Sequence, residues 1–228
     1  MKQKIILICI LIPLCNVFSQ QKITNEDIFS NRKFSQDWVF GLNSMNDGLH
    51  YTTLNQRDTI SIEKYNYETG QKTSTILKSS EIQNINFNNY TFNSDETLIL
   101  LESETDPIYR YSKKSIVHIF DTQKKTLSKI FDKKIQIAEF SPNSKSVSYV
   151  YRNNIYIYDI ETQKTKKITH KGLPNKVICG GTDWVYEEEF GLVKGYEWAP
   201  NSQYIAYYIF DESKVPLIKL KSILKKLH

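Results

Sequence analysis

Three stretches share one phrase: "TFNSDETLILL" (Thr91 to Leu101), "EFSPNSKSVSYV" (Glu139 to Val150) and "EWAPNSQYIAYYIF" (Glu197 to Phe210). Each runs aromatic, small residue, turn, then an apolar strand. The aromatics are Phe92, Phe140 and Trp198, 48 and 58 residues apart. Asn-Ser after Pro suits a tight turn, and a large ring just before it suits a wedge between packed layers. Behind the second phrase, "NNIYIYDIETQKTKKIT" (Asn153 to Thr169) alternates Ile155, Tyr156, Ile157 and Tyr158 and then turns again after Asp159. "IVHIFDTQKKTLSKI" repeats that second half around Asp121, and "SIEKYNYETGQKTSTI" gives a looser copy ending at Glu68-Thr69-Gly70.

Alternation at period two with turns every several residues reads as antiparallel meanders. A unit of 40 to 50 residues made only of strands points to a β-propeller, whose blades bury their faces against one another. A β-sandwich is the competing all-β architecture, but it does not call for a repeated phrase. The expected fold is therefore all-β: a partial propeller of about four blades, each a four-stranded antiparallel sheet, with the fourth begun at Trp198 and unfinished. A partial ring leaves sheet faces exposed, so association is expected of the isolated chain.

Composition agrees. The 228 residues include 15 Tyr and 11 Phe against 8 Gly and 6 Pro, which favours β-structure over a helical bundle. The formal charge of +5 is misleading, because Lys2 and Lys4 fall near the start and Lys219, Lys221, Lys225 and Lys226 in the last twelve residues. What lies between is near neutral, and no basic face for nucleic acid is expected.

The first twenty residues, "MKQKIILICILIPLCNVFSQ", set two lysines before an apolar run from Ile5 to Leu14, the layout of a secretory signal cleaved near Ser19 or Gln20. The run is short for a bilayer crossing, so no stable membrane insertion is expected after its removal, with an uncleaved N-terminal anchor as the alternative. Leu14 is bulkier than the residue that normally precedes a lipidated cysteine. Cleavage removes Cys9 and Cys15 and leaves Cys179 alone, so no intramolecular disulfide forms and the fold depends on packing. The expected organisation is a signal over 1–20, the incomplete propeller over 21–216 and an atypical Lys-rich tail over 217–228, and the location is periplasmic or secreted. The tail "LIKLKSILKKLH" lacks the aromatics and turns of further strands, which suggests a truncation or shifted reading frame, with a basic amphipathic segment as the alternative.

The longer interval between Phe140 and Trp198 holds an insertion, "GGTDWVYEEEFG" (Gly180 to Gly191). Insertions in repeat proteins emerge on one face, and that face often binds. On a strand Glu188 and Glu189 would point to opposite sides. On a short helix they diverge by about 100° and still converge on a small ligand. Two carboxylates near a primary ammonium each accept a charge-assisted hydrogen bond from it.

"DWVYEEEF" (Asp183 to Phe190) resembles the signature of the dipeptidyl peptidase IV family of serine exopeptidases, and "EWAPNSQYIAYYIFDESKVP" resembles that family's continuation. Phe190 departs by the absence of one residue before it. The resemblance implies an N-terminal propeller that precedes an α/β-hydrolase domain, and a peptide with a free N-terminus as partner. It implies that Glu188 and Glu189 hold the substrate's amine, that Glu187 tolerates replacement better, and that full-length relatives form homo-oligomers. "YRYSKKSIVHIFD" resembles the family's arginine phrase on an earlier blade and places Arg110 on it as a third substrate-binding residue, whose guanidinium offers planar donors to a substrate carbonyl or to a neighbouring Glu. No G-x-S-x-G elbow occurs, and His50, His118, His170 and His228 stand in no Ser/Asp constellation, so no catalytic residue is assigned within the chain. No metal or cofactor is expected. The main reading is thus the substrate-anchoring propeller region of an exported dipeptidyl peptidase IV-like enzyme without its hydrolase domain. The alternative is a non-catalytic periplasmic propeller that binds a protein or peptide.

Overall fold

The computed structural model describes residues 22–36 and 38–216. The signal reading over 1–20 and the tail over 217–228 lie outside the described residues. The chain divides into two compact units between Trp38 and Val39. In the first, Glu26–Ser30 forms one π-helical turn. Thr24 and Asp27 cap it reciprocally, each backbone N–H donating to the other's side chain at 3.1 Å.

The second unit is built of antiparallel meanders. The first sheet takes β1 (Phe40–Ser44), β2 (His50–Asn55), β3 (Ser61–Asn66) and β4 (Lys72–Lys78) in chain order. The second takes β5 (Phe87–Phe92), β6 (Leu98–Pro107), β7 (Lys113–Asp121) and β8 (Thr126–Lys129). The third takes β9 (Gln136–Phe140), β10 (Ser146–Tyr151), β11 (Asn154–Asp159) and β12 (Thr165–Lys167). A fourth group pairs β14 (Tyr196–Trp198) with β15 (Ile205–Tyr207), and β13 (Val177–Cys179) with β16 (Ile209–Asp211). The blades expected from the sequence are present, and the fourth is represented by paired short strands instead of a four-stranded sheet.

The repeated phrase is one turn used four times. Met45, Asn93, Ser141 and Ala199 each donate their N–H across the turn, to the carbonyls of His50, Leu98, Ser146 and Tyr204. Three residues later, Gly48, Glu96, Ser144 and Ser202 all adopt left-handed backbone, at φ 65°, 60°, 58° and 61°. The first blade carries this turn without the phrase, since Ser44 stands where Phe92, Phe140 and Trp198 stand in the others. Adjacent turns are tied by the side chain of that left-handed residue. Asn46 N–H donates to Glu96 Oε1 at 2.6 Å, Ser94 and Ser144 hydroxyls meet at 3.0 Å, and Asn143 N–H donates to Ser202 Oγ at 3.0 Å.

Strand alternation places the core in the seams between blades. Along β6, Ile99 and Leu101 enter the seam with the first sheet, where Leu54, Ile62, Leu77 and Tyr90 wait, and Leu100 enters the seam with the third, beside Phe140, Val147 and Tyr149. The last seam packs Val150 and Ile155 on Tyr196 and Trp198. Cys179 is buried and free, as befits a small apolar residue.

Candidate functional site

The insertion leaves β13 and returns to β14 through a narrow neck. Gly195 N–H donates to the Gly180 carbonyl at 3.0 Å, and the Thr182 hydroxyl donates to the Leu192 carbonyl at 2.6 Å. Gly180 sits at φ 80°, and a Cβ there would meet Ile155 at 2.5 Å, so the neck requires glycine. Between the two ends stands a single helix, α1 (Trp184–Phe190). Asp183 caps it by accepting the Tyr186 N–H at 2.9 Å, and Gly191, at φ 63°, closes it with a left-handed residue. Tyr186 packs its ring on Phe210, 4.8 Å between centroids, and so fastens the helix to β16. The expected helical insertion is therefore present.

Helical spacing gives the three glutamates three environments. Glu187 is 1% exposed, and one of its oxygens accepts both the Tyr111 N–H at 2.7 Å and the Ser112 N–H at 2.8 Å. Burial alone would raise its carboxyl, but the nearby Ser112 side chain and these two amides hold it below the ordinary value. The Ser112 hydroxyl is buried and closes no hydrogen bond of ordinary geometry, so the two amides are the firmer cause. Glu188 is partly buried, and its Oε2 lies 2.9 Å from Arg110 Nε. Glu189 is exposed.

Arg110, Tyr111 and Ser112 occupy the connection between β6 and β7, which Ile108 and Ser112 close by a backbone bond of 2.8 Å. The helix therefore grips this hairpin tip twice: Glu187 holds its amides and Glu188 pairs with its guanidinium. The chain brings Arg110 to Glu188 and leaves Glu189 open. Arg110 itself is largely exposed, so its remaining N–H donors face solvent.

Sequence reasoning gave no part to Tyr109 or Glu212. Both line a cavity of about 170 Å³ behind the hairpin tip, with Ser112 and Thr182. Burial raises the Glu212 carboxyl and Asp183 adds to the rise; burial, then Glu212, Glu187 and Asp183, raise the Tyr109 phenol. Nothing in the local pattern marks these residues, because their meeting depends on how the insertion folds back. The surroundings of α1 are thus rich in carboxylates around one arginine, an arrangement that suits a cation. Among the described residues no group of His, Cys, Asp and Glu could hold a metal ion, and no helix is long and apolar enough to cross a membrane.

Repeated four-stranded meanders with an acidic helix inserted within the fourth group of strands define a segment of a β-propeller. Residues 93–228 match the family model described as the dipeptidyl peptidase IV (DPP IV) N-terminal region, and the chain belongs to this family. It is 30% identical over 226 residues to prolyl endopeptidase FAP of Bos taurus, covering 94% of this chain and 28% of that protein. It is 32% identical over 162 residues to dipeptidyl peptidase 4 of Sus scrofa, covering 68% of this chain and 21% of the relative. The crystal structure of Porphyromonas gingivalis dipeptidyl peptidase 4 superposes with a TM-score of 0.78 at 31% identity, over 86% of this chain and 29% of that one. The chain thus spans under a third of the length of these relatives.

Proposed function

We propose that α1 and the β6–β7 tip form the part of a peptide-binding site that holds a substrate's free N-terminal ammonium. In this reading the chain is the anchoring propeller region of an exported dipeptidyl peptidase IV-like serine peptidase, and the nucleophile and base lie outside these 228 residues. The observation that carries the reading is the Arg110–Glu188 pair, 2.9 Å apart on elements joined by no shared strand. Glu188, steadied by Arg110, and the open carboxylate of Glu189 accept the ammonium protons. The free guanidinium N–H groups of Arg110 donate to the carbonyl of the first or second substrate residue. An amine pinned at a fixed place leaves room for a fixed number of residues before the scissile bond, which accounts for release of dipeptides. Names of relatives that include dipeptidyl peptidase 4 support the substrate class, and the layout of the first twenty residues supports export.

The test is a titration of the chain, followed by NMR, with a dipeptide amide and with its N-acetyl form. Saturable binding of the free amine that acetylation and Glu188→Gln both abolish is expected. Equal binding of the two peptides would overturn the reading.

A further inference from the structure

The tip of the β6–β7 hairpin, residues 108–112, has little of its own to hold it. Ile108 through Tyr111 are exposed, one backbone bond from Ile108 to Ser112 closes the turn at 2.8 Å, and a cavity of about 170 Å³ lies behind it. Beyond itself, the tip bonds among the described residues only to Glu187 and Glu188. Arg110 stands on this tip and reaches Glu188 at the end of a long side chain with many rotamers. A binding group of that kind works only if its origin is fixed.

Glu187 fixes it. The Tyr111 N–H belongs to the planar peptide unit that begins at the Arg110 Cα, and the Ser112 N–H belongs to the next unit. Both donate to the same Glu187 oxygen, at 2.7 and 2.8 Å, so one carboxylate orients two successive planes and with them the Arg110 Cα. The carboxylate is itself held in place. It is buried on α1, which Asp183 caps and Tyr186 fastens to β16. Because Glu188 follows Glu187 on the same helix, that helix sets both the partner of Arg110 and the place from which Arg110 reaches it.

We propose that Glu187 is a positioning residue for the substrate: it touches no ligand and sets ligand affinity by aiming Arg110. The proposal rests on the anchoring reading above, and it gives the first glutamate of the run a part that the family resemblance does not. Binding groups have to be held to within about 0.5 Å, and the cavity behind the tip leaves room for a larger displacement once the clasp is gone.

NMR of the full chain tests this through the Arg110 Nε–H signal and a titration with the dipeptide amide. Glu187→Ala should weaken binding about tenfold, the cost of a misplaced contact, and move the Arg110 signal toward its place in Glu188→Gln, where the pair is broken. Glu187→Gln, whose side-chain carbonyl still accepts from both amides, should recover most of both. If circular dichroism shows that Glu187→Ala does not fold, Glu187→Gln carries the comparison, with a smaller loss and a smaller shift in the same direction. In an Arg110→Ala background, whose two carboxylates still take the ammonium, removing the Glu187 carboxylate should cost no further affinity. A residue that serves stability alone would weaken both backgrounds alike. Full affinity without the Glu187 carboxylate, a loss of affinity with the Arg110 signal unmoved, or equal losses in the two backgrounds would each overturn the proposal. If Glu188→Gln also binds as the parent does, the anchoring reading falls with it; if Glu188→Gln alone abolishes binding, only the positioning part falls.

Discussion

Arg110 Nε lies 2.9 Å from Glu188 Oε2, a contact between the tip of the β6–β7 hairpin and the inserted helix. The neighbouring residue on each side makes a second contact, since Glu187 accepts from Tyr111 and Ser112. The two contacts differ in kind. Glu187 is enclosed, and one of its oxygens takes both backbone amides, which suits a fastener. Glu188 is half-buried, has Arg110 as its one partner among the described residues and sits beside an open Glu189, which suits a group that receives a ligand.

Glu187→Gln should destabilise the chain, although the resemblance marks this as the glutamate most tolerant of change. Its carboxylate accepts two charge-assisted bonds from backbone amides, and an amide side chain offers a weaker acceptor. A loss of about 1.5–3 kcal/mol is expected in urea unfolding. Glu189→Gln, at an exposed position, should stay within about 0.5 kcal/mol of the parent. Equal midpoints for the two variants would remove Glu187 from its fastening part.

His118 and Glu63 should both contribute to the acid limb of stability, beside other carboxylates held below their ordinary values, Glu187 among them. His118 lies in β7 between Leu101 and Lys129, with Nδ1 buried and without a hydrogen-bond partner among the described residues. Burial, then Lys129, lowers its pKa below 6.5, against an opposing pull from Glu104. The unfolded chain binds that proton more readily, so stability falls as pH drops below 6.5. Glu63 follows at lower pH. Burial would raise its carboxyl, but Lys72, Tyr65, Asn55 and Ser61 bring it from 4.5 to about 2. Its stabilisation is complete above 4.5 and is lost as pH falls toward about 2. In unfolding midpoints measured against pH, His118→Gln should flatten the upper arm and Glu63→Gln the lower.

Tyr196→Phe should cost about 1–2 kcal/mol, because it leaves the half-buried Ile137 carbonyl and the buried Ser148 hydroxyl without the phenol. Thermal unfolding checks this. The paired change Tyr196→Phe with Ser148→Ala should recover part of the loss, as the seam between the second and third sheets, where Leu100 and Ala138 pack in one cluster, shows that an apolar seam is compatible with the fold.

The blades were legible where a wedge aromatic precedes the turn. Phe92, Phe140 and Trp198 announced three of them, whereas Ser44 hid the turn of the first, whose second half alone shows in the looser copy from Ser61 to Ile76 and whose turn shows in Gly48 and its hydrogen bonds. The helix was legible from what adjacent carboxylates need in order to converge, and Arg110 as a candidate beside them from family resemblance, while its contact with Glu188 shows only in the structure. The clasp of Glu187 was not. Its donors are main-chain N–H groups 75 and 76 residues away, and a main-chain donor leaves no mark on residue type. Tyr109 and Glu212 were missed for a related reason, as their surroundings exist only once the insertion folds back.

The most direct test of the anchoring site is the kcat/KM of a hybrid in which residues 21–216 are joined to the remainder of a close relative. With a chromogenic dipeptide substrate, Glu188→Gln should lower kcat/KM at least about tenfold, since the pinned amine also positions the scissile bond. The N-acetylated substrate should be poor for parent and variant alike. A Glu188→Gln hybrid that cleaves the free-amine substrate as fast as its parent would contradict the account and leave Glu188 as Arg110's ion-pair partner alone.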